Sequence, residues 1–238
     1  GTRGLWAKVD LIERRARCED SRREALWRRI GHEPPQSGTT AVSLFAYEHA
    51  PLAELLRCWE EGDEDVVAAI PEGGALATAG RFFGVDAVGS GAVLRRGRLE
   101  VRAVPFVAQA QYDELLWTCD VNFVRGEDSF VRAQWAARPF IWQIYPQQEQ
   151  AHWRKLEAFL ALYEHGIGEG ARDAVSAMMR SWNQIDAPGV TPASAWQAYA
   201  RQLHVLRRHG DAWSEHLAAL GELAGNLVQF CRQKLKSG

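Results

Sequence analysis

Asp120-Val121-Asn122-Phe123-Val124-Arg125-Gly126-Glu127-Asp128-Ser129-Phe130 decides how the rest of the chain is read. An apolar run ends abruptly in Arg-Gly-Glu-Asp-Ser, and a helical pattern begins at once and continues through Trp135. Val121, Phe123 and Val124 have the character of a short buried strand, and Gly126 that of a tight turn. Glu127, Asp128 and Ser129 then occupy the first helical turn, where carboxylates and hydroxyls suit the free N–H groups. Taken alone, this is equally a well-capped strand-to-helix turn. Arg125 adds the functional reading: a guanidinium fixed ahead of a helix N-terminus makes an anion site, and open α/β sheets bind ligands at the carboxyl ends of their strands.

Outward from that stretch, apolar runs alternate with helical periods. Strands are expected at Ala41–Tyr47, Val66–Ile70 and Phe140–Tyr145, with a paired Val93–Arg96 and Leu99–Phe106 around Arg96-Gly97-Arg98. Helices are expected at Pro51–Glu60, Ala75–Phe83, Gln111–Trp117 and Gln148–Tyr163. Strands separated by helices of about ten residues imply right-handed crossovers and an α/β, Rossmann-like, mostly parallel doubly wound sheet. Three regions follow. Residues 1–38 are a helical lead-in and linker, with Asp20-Ser21 as a helix cap and Pro34-Pro35 in the linker. Residues 39–165 form the sheet domain. Residues 166–238 form a helical C-terminal tail with helices at Ala171–Trp182, Pro192–Arg208 and Asp211–Lys236, the last carrying Leu217, Leu220, Leu223, Leu227, Phe230 and Cys231 on one face.

The 238 residues are 47% apolar and 24% charged, with 28 basic against 30 acidic side chains and a formal net charge of −2. That balance speaks against bulk nucleic-acid or anionic-membrane binding, and no apolar run approaches the roughly 20 residues of a membrane span. Cys18, Cys58, Cys119 and Cys231 form no CxxC pair, which suits reduced thiols in a cytoplasmic protein. His204, His209 and His216 do not repeat at i, i+4, so no metal site is expected. The chain begins at Gly1 rather than Met, as an excised piece would. Gly166-Ile167-Gly168-Glu169-Gly170-Ala171 matches a dinucleotide motif but follows a helix, and Gly89-Ser90-Gly91 reads as a turn.

The expected strand ends converge chemically. Phe45 and Tyr47 close the first, Phe106 and Gln109 follow the Leu99 strand, Arg125 to Ser129 close the central one, and Tyr145 precedes Pro146. Aromatic rings and an amide suit a base, by stacking and edge hydrogen bonds. Arg125 with a helix N-terminus suits a diphosphate, and Tyr145, Glu127 and Asp128 suit sugar hydroxyls or phosphate. Together they describe a nucleotide-sugar pocket. Each member also has a plainer use: Phe45, Tyr47 and Phe106 as core aromatics, Gln109 as a helix start, Tyr145 as a strand end.

Residues 119–135 (Cys-Asp-Val-Asn-Phe-Val-Arg-Gly-Glu-Asp-Ser-Phe-Val-Arg-Ala-Gln-Trp), continued by Pro139-Phe140-Ile141-Trp142-Gln143-Ile144-Tyr145-Pro146-Gln147, resemble the bacterial arginine rhamnosyltransferases of elongation factor P. Ser43–Glu48 and Gln111–Trp117 fit the same family, and the likeness covers essentially the whole chain. It implies one half of a GT-B glycosyltransferase, the donor-binding half. Such enzymes transfer L-rhamnose from dTDP-β-L-rhamnose to an arginine of elongation factor P with inversion, and without a metal or other cofactor. The resemblance assigns Phe45, Tyr47, Phe106 and Gln109 to the thymidine end of the donor, Arg125 and Ser129 to the diphosphate, and Asp128 and Tyr145 to further donor contacts. Glu127 and Arg125 are the implied catalytic residues. The family's N-terminal domain, with its Asp-x-x-Gly-Asp motif, its base and its main elongation factor P surface, has no counterpart in this sequence, so this piece alone is expected to be inactive. The alternatives are a GT-B transferase for another nucleotide sugar and a non-catalytic nucleotide- or partner-binding module.

Overall fold

The computed structural model describes residues 20–147, 151–185 and 188–220. The helix expected before Asp20, the start of the long helix at Gln148, Cys18, and the stripe from Leu223 to Cys231 lie outside the described residues.

Runs such as Val66-Val67-Ala68-Ala69-Ile70 are apolar at every position because a parallel strand is covered on both faces. Six strands result among the described residues: β1 (Thr40–Leu44), β2 (Val66–Pro71), β3 (Val93–Arg96), β4 (Leu99–Val104), β5 (Val121–Arg125) and β6 (Phe140–Gln143). They lie in one sheet in the order β3-β4-β2-β1-β5-β6. All neighbours run parallel except the β3–β4 hairpin, which turns through Gly97 at φ +57°. The α/β, mostly parallel, doubly wound expectation holds.

The helices between strands are α2 (Leu52–Glu61), α3 (Gly74–Phe83), α4 (Gln109–Thr118) and α5 (Asp128–Ala136). α1 (Asp20–Arg29) precedes the sheet. α6 (Ala151–Tyr163), α7 (Glu169–Trp182), α8 (Pro192–Arg201) and α9 (Leu203–Ala219) follow it. Side-chain alternation along the strands divides the interior. Val42, Leu44, Ala68, Ile70, Val101 and Ala103 meet Leu55, Leu56 and Trp59 of α2 and Val175, Met178 and Trp182 of α7. Ala41, Val67, Ala69 and Val104 meet Leu26 and Trp27 of α1 and Leu115 of α4. Burying each such aromatic side chain contributes on the order of 2–3 kcal/mol. Trp27 is fully buried, so α1 covers one face of the sheet. The lead-in helix thus joins the globule through Leu26 and Trp27, with its Arg and Glu side chains on the other face.

The segment after the sheet is equally integral. Trp59 meets Trp196 of α8 edge-on at 5.2 Å, and Phe123 meets Trp182 at 4.8 Å. Tyr199 donates its hydroxyl to the Phe140 carbonyl at 3.2 Å, and Asn183 donates to the Trp142 carbonyl at 2.7 Å while accepting from the Ile144 N–H at 2.9 Å. One expected boundary is wrong. The helix break falls at Gln202, not between Arg208 and Asp211, and Gly210 lies inside α9. There a Cβ would sit 3.0 Å from the Ala137 carbonyl carbon and oxygen, so Gly210 permits close helix approach rather than ending a helix.

Candidate nucleotide-sugar site

β1 lies between β2 and β5, so the chain winds outward one way through β2 and β4 and then returns to the other side of β1. Loops leaving β1 and β5 therefore diverge at the carboxyl edge, which is where doubly wound sheets open a crevice. A cavity of about 510 Å³ lies there. Phe45, Tyr47, Phe106, Gln109, Arg125, Glu127, Asp128 and Ser129 all line it. Tyr145 does not line it but stands at the rim, 56% exposed, its ring edge-on to Tyr47 at 5.7 Å.

β1 ends at Leu44, three residues before the expected end, the Phe45 N–H makes a last bond to the Phe123 carbonyl at 3.0 Å, and Phe45 and Tyr47 flank the neighbouring turn. The Arg125 guanidinium sits 4.2 Å from the Phe45 ring centre and 4.6 Å from that of Tyr47. Ring quadrupoles hold it without consuming its N–H donors, which stay available to an anion. Phe45 also meets Phe106 at 6.2 Å and Tyr112 at 6.1 Å, both edge-on, and Phe106 is 70% exposed. An exposed ring beside an apolar wall is a stacking surface for a planar base.

The β5–α5 turn is fixed from several sides. Gly126 takes φ +63°, and a Cβ there would come within 2.9 Å of the Tyr47 hydroxyl. Trp142 Nε1 donates to the Gly126 carbonyl at 2.7 Å, and the Gly126 N–H donates to the Gln143 carbonyl at 3.1 Å. Ser129 Oγ accepts from the Arg125 N–H at 3.0 Å and donates to the Arg125 carbonyl. Its hydroxyl therefore closes the turn from within, while its backbone belongs to the open first turn of α5.

The two acids differ. Glu127 is exposed at the α5 N-cap and makes no capping bond with its side chain. Asp128 accepts from Arg132 Nε at 2.8 Å, and Arg132 also forks onto the buried Asp113 at 2.8 and 2.9 Å. Burial pushes the Tyr47 phenol above its ordinary pKa, partly opposed by Arg125, so it remains a donor at neutral pH. Burial raises Tyr112 as well.

Pro71, Val104, Pro105, Val107, Tyr112 and Leu115 complete the wall without having been anticipated. Tyr112 was within reach of the sequence: it lies three residues after Gln109, on the same helical face. Among the described residues no three His, Cys, Asp or Glu side chains converge as metal ligands. No described helix is long and apolar enough to cross a membrane.

The sequence model of the family described as Elongation-Factor P (EF-P) rhamnosyltransferase EarP matches residues 1–232. The protein-arginine rhamnosyltransferase of Pseudomonas putida KT2440 is 39% identical over 236 residues, covering 98% of this chain and 61% of that protein. That of Shewanella oneidensis MR-1 is 35% identical, covering 98% and 60%. A structure solved to establish the basis of EarP-mediated arginine glycosylation of translation elongation factor EF-P superposes with a TM-score of 0.82 at 36% identity, covering 94% of this chain and 70% of that one. The chain thus spans about three-fifths of the length of these curated relatives. It belongs to the EarP family of elongation factor P rhamnosyltransferases.

Proposed function

We propose that this chain is the donor-binding part of a cytoplasmic protein-arginine rhamnosyltransferase of the GT-B type, using dTDP-β-L-rhamnose and acting on an arginine of elongation factor P with inversion. The observation that carries the reading is Arg125 held over the Phe45 and Tyr47 rings, beside the α5 N-terminus, in a cavity at the sheet's switch point. Phe106 and Gln109 take the thymine, and the apolar wall suits its 5-methyl group. The diphosphate lies against Arg125 and the first N–H groups of α5. That positive charge is the reading's substitute for a metal.

In the reaction one guanidinium nitrogen attacks C1 of rhamnose from the face opposite the diphosphate. The C1–O bond breaks, dTDP departs with the electron pair, and the guanidinium loses a proton to a base. Arginine is a poor nucleophile because it stays protonated near neutral pH. Carboxylates that orient it and localise its charge are what the step requires. Glu127, exposed at the α5 N-cap with no capping bond, is the carboxylate of this chain that the resemblance assigns to that work, and it puts the others, with the base, in a domain outside it. Arg125 meets the charge that grows on the leaving diphosphate. The chain alone is accordingly expected to bind donor without transferring sugar.

Calorimetric titration of dTDP-β-L-rhamnose, with UDP-glucose as control, into the chain and its Arg125→Ala variant tests this. Selective dTDP-rhamnose binding, weakened about tenfold or more in Arg125→Ala, is expected from loss of a charge-assisted contact. Equal binding of both nucleotide sugars, or indifference to the substitution in folded protein, overturns the reading.

A further inference from the structure

We propose that Gln143 is a positioning residue that holds the two loops of the site in register, so that Arg125 stays seated on its aromatic shelf. The proposal rests on the donor-site reading above for its consequence in binding, but its geometry stands apart from it. Gln143 is the last residue of β6, paired in register with Arg125, and fully buried. Its backbone carbonyl accepts from the Gly126 N–H at 3.1 Å, which ties down the loop after β5. Its side-chain Oε1 accepts from the Tyr47 N–H at 2.7 Å, which ties down the loop after β1. β5 lies between β1 and β6, so this side chain reaches across from the second strand away. The facing atom must be the amide oxygen, because a backbone N–H has nothing to offer an amide nitrogen.

The anchor point is itself rigid. Trp142 donates to the Gly126 carbonyl and stacks on Phe130, in the first turn of α5, at 3.8 Å. Asn183 fixes the Trp142 carbonyl and the Ile144 N–H on either side. The β1 loop, by contrast, makes its last ladder bond from the Phe45 N–H to the Phe123 carbonyl, and the Gln143 oxygen takes up the Tyr47 N–H beyond it. Tyr47 carries half of the aromatic cradle under Arg125, so freedom in that loop becomes freedom of the guanidinium.

The Gln143 Nε2 is buried and meets no hydrogen-bond partner among the described residues. This makes Gln143→Met informative. The substitution keeps an unbranched side chain of similar length and removes the acceptor of Tyr47 N–H. It also removes an unsatisfied buried donor, so the two effects on global stability oppose each other. The fold should survive with its local tie cut.

The test uses the 238-residue chain and two readouts. Amide hydrogen exchange should quicken about tenfold over residues 45–49 in Gln143→Met, with the β2 segment 66–70 unchanged. Titration of dTDP-β-L-rhamnose should weaken about tenfold. Unchanged exchange over 45–49 overturns the proposal whatever the ligand does. Unchanged affinity in Gln143→Met, where Arg125→Ala weakens binding, overturns it as well. A wild-type chain that binds no dTDP-rhamnose refutes the donor-site reading instead, and faster exchange confined to residues 45–49 then still supports the tie.

Discussion

Replacing Gly126 with alanine probes the turn on which the site is built. At φ +63° an L-residue costs about 1–2 kcal/mol more than glycine. The added Cβ also falls 2.9 Å from the Tyr47 hydroxyl oxygen, closer than a real Cβ tolerates, so one group must move. Gly126 is held by hydrogen bonds to Trp142 and Gln143, so the movable partner is Tyr47. That ring is stacked on His49 at 5.6 Å, meets Tyr145 at 5.7 Å and lies 4.6 Å from the Arg125 guanidinium. Displacing it gives up part of a cation–π contact worth about 0.5–1 kcal/mol. The total is about 2 kcal/mol, which in a domain of this size lowers the melting temperature by about 4–8 °C. Scanning calorimetry reads that drop, and titration of dTDP-β-L-rhamnose should show an affinity loss of about fivefold from the shifted Tyr47 and Arg125. Gly126→Asn separates the components, since asparagine tolerates positive φ but carries the same Cβ. It should recover stability more than affinity. A Gly126→Ala protein that melts within about 1 °C of wild type and binds donor equally well would refute the reasoning.

Asp120 sits at the opposite end of β5, where it accepts the Ala41 N–H at 2.9 Å and pairs with Arg23 and Arg207. Asp120→Ala should therefore cost about 1–3 kcal/mol in urea unfolding, mostly from the Ala41 bond because the arginines are largely exposed. Donor affinity should not change, and a matching fall in affinity would show that the two ends of β5 are not independent. His209 has its pKa held below 6.5 by burial, partly opposed by a backbone hydrogen bond with Tyr163, and its Nε2 has no partner among the described residues. As pH falls through 6.5 the unfolded chain takes up this proton before the folded one, so stability present at neutral pH is progressively lost. His49, also depressed by burial, acts in the same direction. Melting temperatures from pH 7.5 down to 5.5 should fall less steeply in His209→Phe, and identical slopes would remove His209 as a cause.

What was legible in the sequence followed local chemistry. Continuous apolar runs identify strands covered on both faces, and the switch from Val124 to Arg125-Gly126 marks the end of one of them. Phe45, Tyr47, Phe106 and Gln109 could be placed at the same edge because residues that close parallel strands share that edge by topology. What was not legible depends on tertiary pairing. Nothing near Arg132 in the chain announces that it also forks onto Asp113, nineteen residues back, whereas its i,i+4 pairing with Asp128 is local. Gly210 looks like a helix stop until Ala137 is seen packed against it, and Trp27 looks like one apolar residue in a charged helix until the sheet face appears. Gln143 reads as part of an apolar strand end, and its reach to Tyr47 exists only once three strands are side by side.

The helices after the sheet also decide where the sheet stops. An unpaired edge invites another strand, from a second molecule or a misfolded neighbour. β3, at one margin, is short and carries the exposed Arg95 and Arg96, which discourage such addition by charge. β6, at the other, is Phe-Ile-Trp-Gln, a buried apolar strand with no charge to deter a newcomer. Its outward carbonyls at Phe140 and Trp142 and the N–H at Ile144 are instead occupied by the Tyr199 hydroxyl and the Asn183 amide. Two side chains thus impersonate a seventh strand, and they come from α8 and the end of α7, which are made only after the whole sheet. During synthesis this margin stays open to aggregation until those helices emerge and close it.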